Sequence, residues 1–173
     1  MKLGRTALAR AAAARLLAGM NRGSNMRGNK WLVVGGILSA LAALLHLAVI
    51  AGGASWYRFV GAPEDMARAA EQGSSTPALI TLAIAALLLV WALYAFSGAG
   101  IIRRLPLLRT ALILISAVYL LRAFSILPVL ILRPELVDTF GVVSSLIVLA
   151  YGLAYAIGTW AGWPALRVAR PAA

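Results

Sequence analysis

His46 and Arg122 are the only ionisable side chains set deep inside long apolar stretches of this 173-residue chain, and they bound the chemistry it can offer. An arginine near a bilayer centre costs about 2.5–3.5 kcal/mol on insertion scales, so an ionisable group in such a place is a functional candidate by default. The rest of the inventory is sparse. There is no cysteine and one histidine. One copy of the chain therefore cannot build a disulfide, a CxxC redox pair, a thiolate nucleophile, an iron–sulfur cluster or a conventional zinc site, and a bis-histidine haem would take two copies. Glu64, Asp65, Glu71, Glu135 and Asp138 are the only acids, and all lie outside the apolar stretches. No carboxylate is thus available there to assist a base. Nothing resembles a nucleotide loop or a catalytic triad.

The elements that must position these groups follow from composition. Apolar residues make up 62% of the chain and the mean hydropathy is +0.91, against roughly 45–50% apolar in an ordinary soluble domain. A bilayer core about 30 Å thick takes about 20 apolar residues per helix. Four stretches reach that length: 31–53, 77–98, 106–132 and 139–160. Inside a bilayer such segments must be helical, because no water satisfies their backbone. Short connections make successive helices antiparallel. The expected fold is an all-α integral membrane protein, four transmembrane helices in two antiparallel hairpins forming a four-helix bundle.

Sixteen Lys and Arg against five acids leave a net charge of +11, and the position of these charges matters more than their sum. Lys2, Arg5, Arg10, Arg15, Arg22, Arg27 and Lys30 precede the first stretch. Arg103, Arg104 and Arg109 lie between or just inside the second and third, and Arg167 and Arg170 follow the fourth. No acid accompanies any of them. Arg58, Arg68 and Arg133 occupy the alternate connections together with all five acids. The positive-inside bias predicts that both termini and the middle loop are cytoplasmic. The expected location is the bacterial inner membrane. The Arg-rich, acid-free leader also resembles a mitochondrial transit peptide, which makes the mitochondrial inner membrane the alternative, and starts at Met20 or Met26 are further alternatives. The first stretch is too long for a signal-peptide core, so it is expected to remain. Expected partners are the bilayer, anionic lipid at the cytoplasmic face, and a second copy or another membrane protein. Nucleic acid is not expected, since no aromatic residue is interleaved among the arginines to stack bases.

Outside the spans, residues 1–30 read as a basic cytoplasmic segment and 163–173 as a cytoplasmic tail. Trp31, Trp160 and Trp163 are expected at inner interfaces, Trp56 and Tyr57 at an outer one. The outer loop 54–76 should carry a short helix over 63–72, because Pro63 presets φ, Glu64 and Asp65 suit the positive dipole end, and Gly73 stops it.

Helical rise places His46 roughly 22 Å and Arg122 roughly 24 Å from the inner ends of their helices. The antiparallel fourth helix brings Ser144 and Ser145 to that depth. Gly35, Ser39, Ala42 and His46 share a small-residue stripe on the first helix, as do Gly141, Ser145, Gly152, Ala156 and Thr159 on the fourth, so these faces are expected to pack. Tyr119, Arg122 and Ser125 share a side of the third helix, where Pro128 frees the Phe124 carbonyl. Ser144, Tyr151 and Tyr155 form a second polar edge. The sharpest site this allows is an outward-facing polar pocket of His46, Tyr119, Arg122, Ser144 and Tyr151, suited to an anion or polar headgroup. Against it stands an Arg122 that snorkels to phosphate and a structural His46. The expected function is a non-enzymatic accessory, scaffold or interaction protein; the alternative is a small permease or lipid- or anion-binding protein using that pocket.

Overall fold

A computed structural model describes residues 29–166. The expectations for the basic leader, for its start sites and for the last residues of the tail lie outside the described residues. Seven α-helices follow in order: α1 (Lys30–Gly52), α2 (Ala54–Phe59), α3 (Glu64–Glu71), α4 (Thr76–Gly98), α5 (Leu108–Phe124), α6 (Ile126–Leu132) and α7 (Thr139–Ala161). A 3₁₀ turn, Pro134–Leu136, precedes α7. Among the described residues four helical stretches are long and apolar enough to cross a membrane, the third being α5 and α6 together, Leu108–Leu132.

Local chemistry sets the ends. The Asn29 side chain accepts from the Leu32 N–H and caps α1, and Asp138 does the same for α7 at Gly141 N, 2.7 Å away. The third stretch is not one continuous helix as expected. It breaks at Ser125, because Pro128 cannot donate to the Phe124 carbonyl, and Ser125 Oγ turns back onto the Arg122 carbonyl at 2.7 Å. The outer loop is also more ordered than its sequence announces. The expected short helix is α3, and α2 is an additional one.

The four long helices form a ring in which α1 packs on α4, α4 on α5, α5 on α7 and α7 on α1, the pairs α1–α4 and α5–α7 being the most extensive. Each neighbour runs antiparallel. Gly36 meets Phe96 while Tyr57 meets Thr81; Gly152 meets Leu120 while Trp163 meets Arg109. Both expected hairpins are therefore present, closed into a bundle. The outward surfaces are apolar along all four, with Leu41, Leu44, Leu79, Leu114, Leu121 and Leu146 among the exposed residues. Surface of this kind does not suit water.

Small residues let the backbones meet. A Cβ at Gly158 would lie 2.7 Å from Leu32 Cγ and 2.9 Å from the Leu32 backbone nitrogen, so α7 and α1 approach closely there. Asn29 spans the same junction, donating through Nδ2 to the Gly158 carbonyl. Introducing a methyl group by Gly158→Ala should cost about 1–3 kcal/mol, as overpacking does. Ile157→Leu, one residue away on the exposed face, should cost less than about 0.5 kcal/mol. Unfolding in mixed micelles measures both, and equal midpoints for the two variants would contradict the close approach.

Candidate functional site

One polar group from each of the four long helices converges on a point near the middle of the bundle. Ser39, fully buried, lies about 14 Å along α1 from Lys30, and its Oγ is 2.9 Å from both Tyr119 Oη and Tyr155 Oη. Tyr155 Oη in turn lies 3.0 Å from the Trp91 carbonyl. A carbonyl only accepts, so Tyr155 donates to Trp91. With its single proton committed, Tyr155 accepts from Ser39, and Ser39 accepts from Tyr119. One arrangement of three protons satisfies every hydroxyl, and it joins α5, α1, α7 and α4 in sequence.

Aromatic rings pack around this chain. Tyr119 is central: its ring centroid is 4.9 Å from that of Trp91 at 80°, and 5.5 Å from those of Tyr151 and Tyr155. Edge-on contacts of this kind add about 0.5–1.5 kcal/mol per pair beyond area burial.

The structure brings two of the five sequence-derived pocket residues together, Tyr119 and Tyr151, and it does so inside this aromatic cluster. The other three lie apart from it. His46 is half-buried and its Nδ1 donates to the Ala42 carbonyl of its own helix at 2.7 Å. Ser144 Oγ donates to the Gly141 carbonyl, 3.1 Å away. Arg122 is exposed and lines a cleft of about 200 Å³ with Ser125, Asp138 and Ser145, closed by Val129 and Leu136. Arg122 has no ion pair among the described residues. Asp138 in the same cleft sets a carboxylate against any anion that Arg122 would attract. Neither His46 nor Tyr119 lines it, so the geometry supplies a small Arg122 cleft and a separate, internally satisfied core.

Sequence reasoning did not single out Ser39, Trp91 and Tyr155 as one site. Ser39 and Tyr155 each carried a signal as polar residues on inward stripes, whereas the Trp91 contribution is a backbone carbonyl and carries none.

Over the acidic end, α2 and α3 form a cap. Val49, Tyr57 and Ala67 make its small core, and the Tyr57 hydroxyl pairs with Thr81 Oγ1 at 3.2 Å, which fixes α2 to α4. Tyr57 is therefore buried and not the interfacial anchor its sequence position implied, because α4 supplies the partner its hydroxyl needs. Gly61, at φ +67°, seats against the Phe140 ring where any side chain would collide. Arg58 holds the outer edge, with Nη2 at 2.9 Å from Glu64 and Nη1 at 2.6 Å from Glu71. Hydrogen bonds from Arg58 hold both carboxyls below the usual glutamate range, and Glu71 followed by Glu64 raises the guanidinium in return.

Comparison with protein-family models, curated proteins and solved structures finds no match, so the site is read from its own residues.

Two expectations follow from these contacts. Ser39→Ala strands the Tyr119 proton and should cost about 1–2 kcal/mol, whereas Tyr119→Phe leaves Ser39 donating to Tyr155 and should cost less. In the Ser39→Ala background Tyr119→Phe should be nearly neutral; additive losses in an unfolding double-mutant cycle would contradict the proton order. For the cap, both glutamates titrate lower folded than free. Its ionic lock is therefore complete above the ordinary glutamate pKa of about 4.3 and is lost as pH falls through the depressed values. Hydrogen exchange of α3, corrected for intrinsic rate, should be level from pH 6 to 8 and rise at pH 3, and Arg58→Gln should reproduce the rise at neutral pH.

Proposed function

We propose that the chain is a four-span integral membrane protein with its basic end and both termini in the cytoplasm, and that it serves as a non-enzymatic accessory or scaffold subunit. The observation that carries this reading is the saturated core. Three hydroxyls and a carbonyl from four helices satisfy one another at mid-bundle, and the rings of Trp91, Tyr119, Tyr151 and Tyr155 fill the space around them. A bundle built this way is a rigid support. Its contact face at the acidic end is the cap, where Arg58 locks α3 and Phe59 stands 81% exposed beside Trp56. The charge map favours the bacterial inner membrane, with the mitochondrial inner membrane as the alternative.

A second reading, an anion-binding protein or small permease, draws on Arg122, whose guanidinium has no carboxylate partner among the described residues and shares its cleft with Ser125 and Ser145.

A chain without cysteine gives a clean background for testing both. Ser74→Cys should react with an impermeant maleimide in intact cells and Ile102→Cys only after permeabilisation; the reverse pattern would overturn the orientation. In mild detergent the scaffold reading expects a stoichiometric complex on native gels that Phe59→Ser disperses, and no solute flux in proteoliposomes. A lone species that carries an anion flux abolished by Arg122→Leu would replace it with the second reading.

A further inference from the structure

At the basic end, α5 and α7 diverge into a groove unrelated to the Arg122 cleft. Arg109, Ile113 and Ser116 follow one another on a single face of α5, and Ala156, Thr159, Trp160 and Trp163 on the facing side of α7 and the turn beyond it. The space between them is about 340 Å³, walled by Ile113, Ser116, Ala156, Thr159, Trp160 and Trp163. That is at the lower end for a small-molecule site, about 300–1,000 Å³. Its lip is Trp160, 84% exposed.

Two independent features mark this groove out. Thr159 is only 5% exposed, and its Oγ1 is the one buried side-chain polar atom without a hydrogen-bond partner among the described residues. Ser116, across the groove, disposes of its proton on the Leu112 carbonyl at 2.7 Å; Thr159 makes no such bond. A stranded hydroxyl costs about 1–3 kcal/mol. Thr159 is itself among the residues that wall the groove, where a bound acceptor would satisfy that hydroxyl. The second feature is charge. The Arg109 guanidinium lies 3.6 Å over the Trp163 ring, and Arg104 reaches across to the Ala165 carbonyl in the turn after α7. All five acids of the chain belong to the connections at the other end.

Accordingly, we propose that the groove binds one anionic phospholipid. Its phosphate meets Arg109 and Arg104, an ester carbonyl accepts from Thr159 about one helical turn (~5.4 Å) further in, and an acyl chain lies between Ile113 and Trp160. The inference rests on the membrane-spanning reading but not on the scaffold role.

Native mass spectrometry of the full chain, with phosphatidylglycerol and phosphatidylcholine offered at equal concentration, tests it. One phosphatidylglycerol should be retained about tenfold more tightly than phosphatidylcholine. Arg109→Gln should abolish that preference, Arg109→Lys should restore most of it, and the near-isosteric Thr159→Val, which leaves packing intact, should weaken phosphatidylglycerol several-fold. Equal retention of the two lipids, displacement of phosphatidylglycerol by inorganic phosphate alone, or no response to Thr159→Val would each overturn the proposal. Release of the chain from membranes by alkaline carbonate would overturn the membrane reading as well, whereas a chain that stays inserted and binds lipids without preference overturns the lipid site alone.

Discussion

Everything in this bundle hangs on where three hydroxyl protons go. In the membrane setting proposed for this bundle the hydrophobic effect does not hold one apolar helix against another, so register comes from close packing and interhelical hydrogen bonds. Here the run from Tyr119 to Ser39 to Tyr155 to the Trp91 carbonyl takes one partner from each of α5, α1, α7 and α4. A carbonyl terminus fixes the direction of the run, and no hydroxyl has a spare proton to adopt another. Rotating or sliding any one helix by a residue would therefore strand a buried donor. The small residues serve this constraint: Gly35 receives the Tyr155 ring, and Gly158 lets α7 touch the backbone of α1 one turn further on. Larger residues at either place would hold the helices apart and stretch the hydrogen bonds at the centre.

Saturating the centre divides the remaining polar groups between the two ends. At the acidic end Arg58 is consumed by Glu64 and Glu71, and the Tyr57 hydroxyl by Thr81, so that the cap is a closed set of contacts. At the basic end Ser97 ties the loop, accepting from Leu105 N–H at 2.9 Å while donating to the Arg103 carbonyl at 3.0 Å. Neither end communicates with the other through a run of polar side chains, since the aromatic rings of Tyr119 and its neighbours lie between. The physical consequence is that the two ends are separate sets of contacts, joined through the aromatic centre.

The four long apolar helices were legible because hydrophobic length is a one-dimensional property; the site was not, because it depends on azimuth. The four stretches, the antiparallel hairpins and the helix at Pro63 all follow from composition and punctuation. The break at Ser125 was half-visible, since Pro128 announces a lost hydrogen bond but not whether the helix bends or stops. Depth arithmetic placed His46, Arg122, Ser144 and Ser145 at one level, yet a single residue turns a helix by about 100°. That turn decides the outcome: Ser145 lines the cleft and Ser144 bonds its own helix, while Tyr155 reaches the core chain and Tyr151 only touches its rim. The partners of Ser39 lie 80 and 116 residues away. No local pattern encodes a pairing over that distance.

Arg109 and Arg122 show why residue type alone does not assign a role in such a protein. Both are on α5 and neither has a carboxylate partner among the described residues. Arg122 sits where the helix ends, beside Asp138, whose negative charge is already committed to capping α7. Its environment offers it a counter-charge without an ion pair, and its exposure lets solvent or headgroups supply the rest. Arg109 is held from behind: the Trp163 face fixes its guanidinium, and the small side chains of Ser116, Ala156 and Thr159 leave space below it. A fixed cation over an apolar groove is the pattern an amphiphile requires, with charge at one end and hydrocarbon at the other. Arg109, nearer its helix start, is thus the arginine whose surroundings suit the proposed lipid.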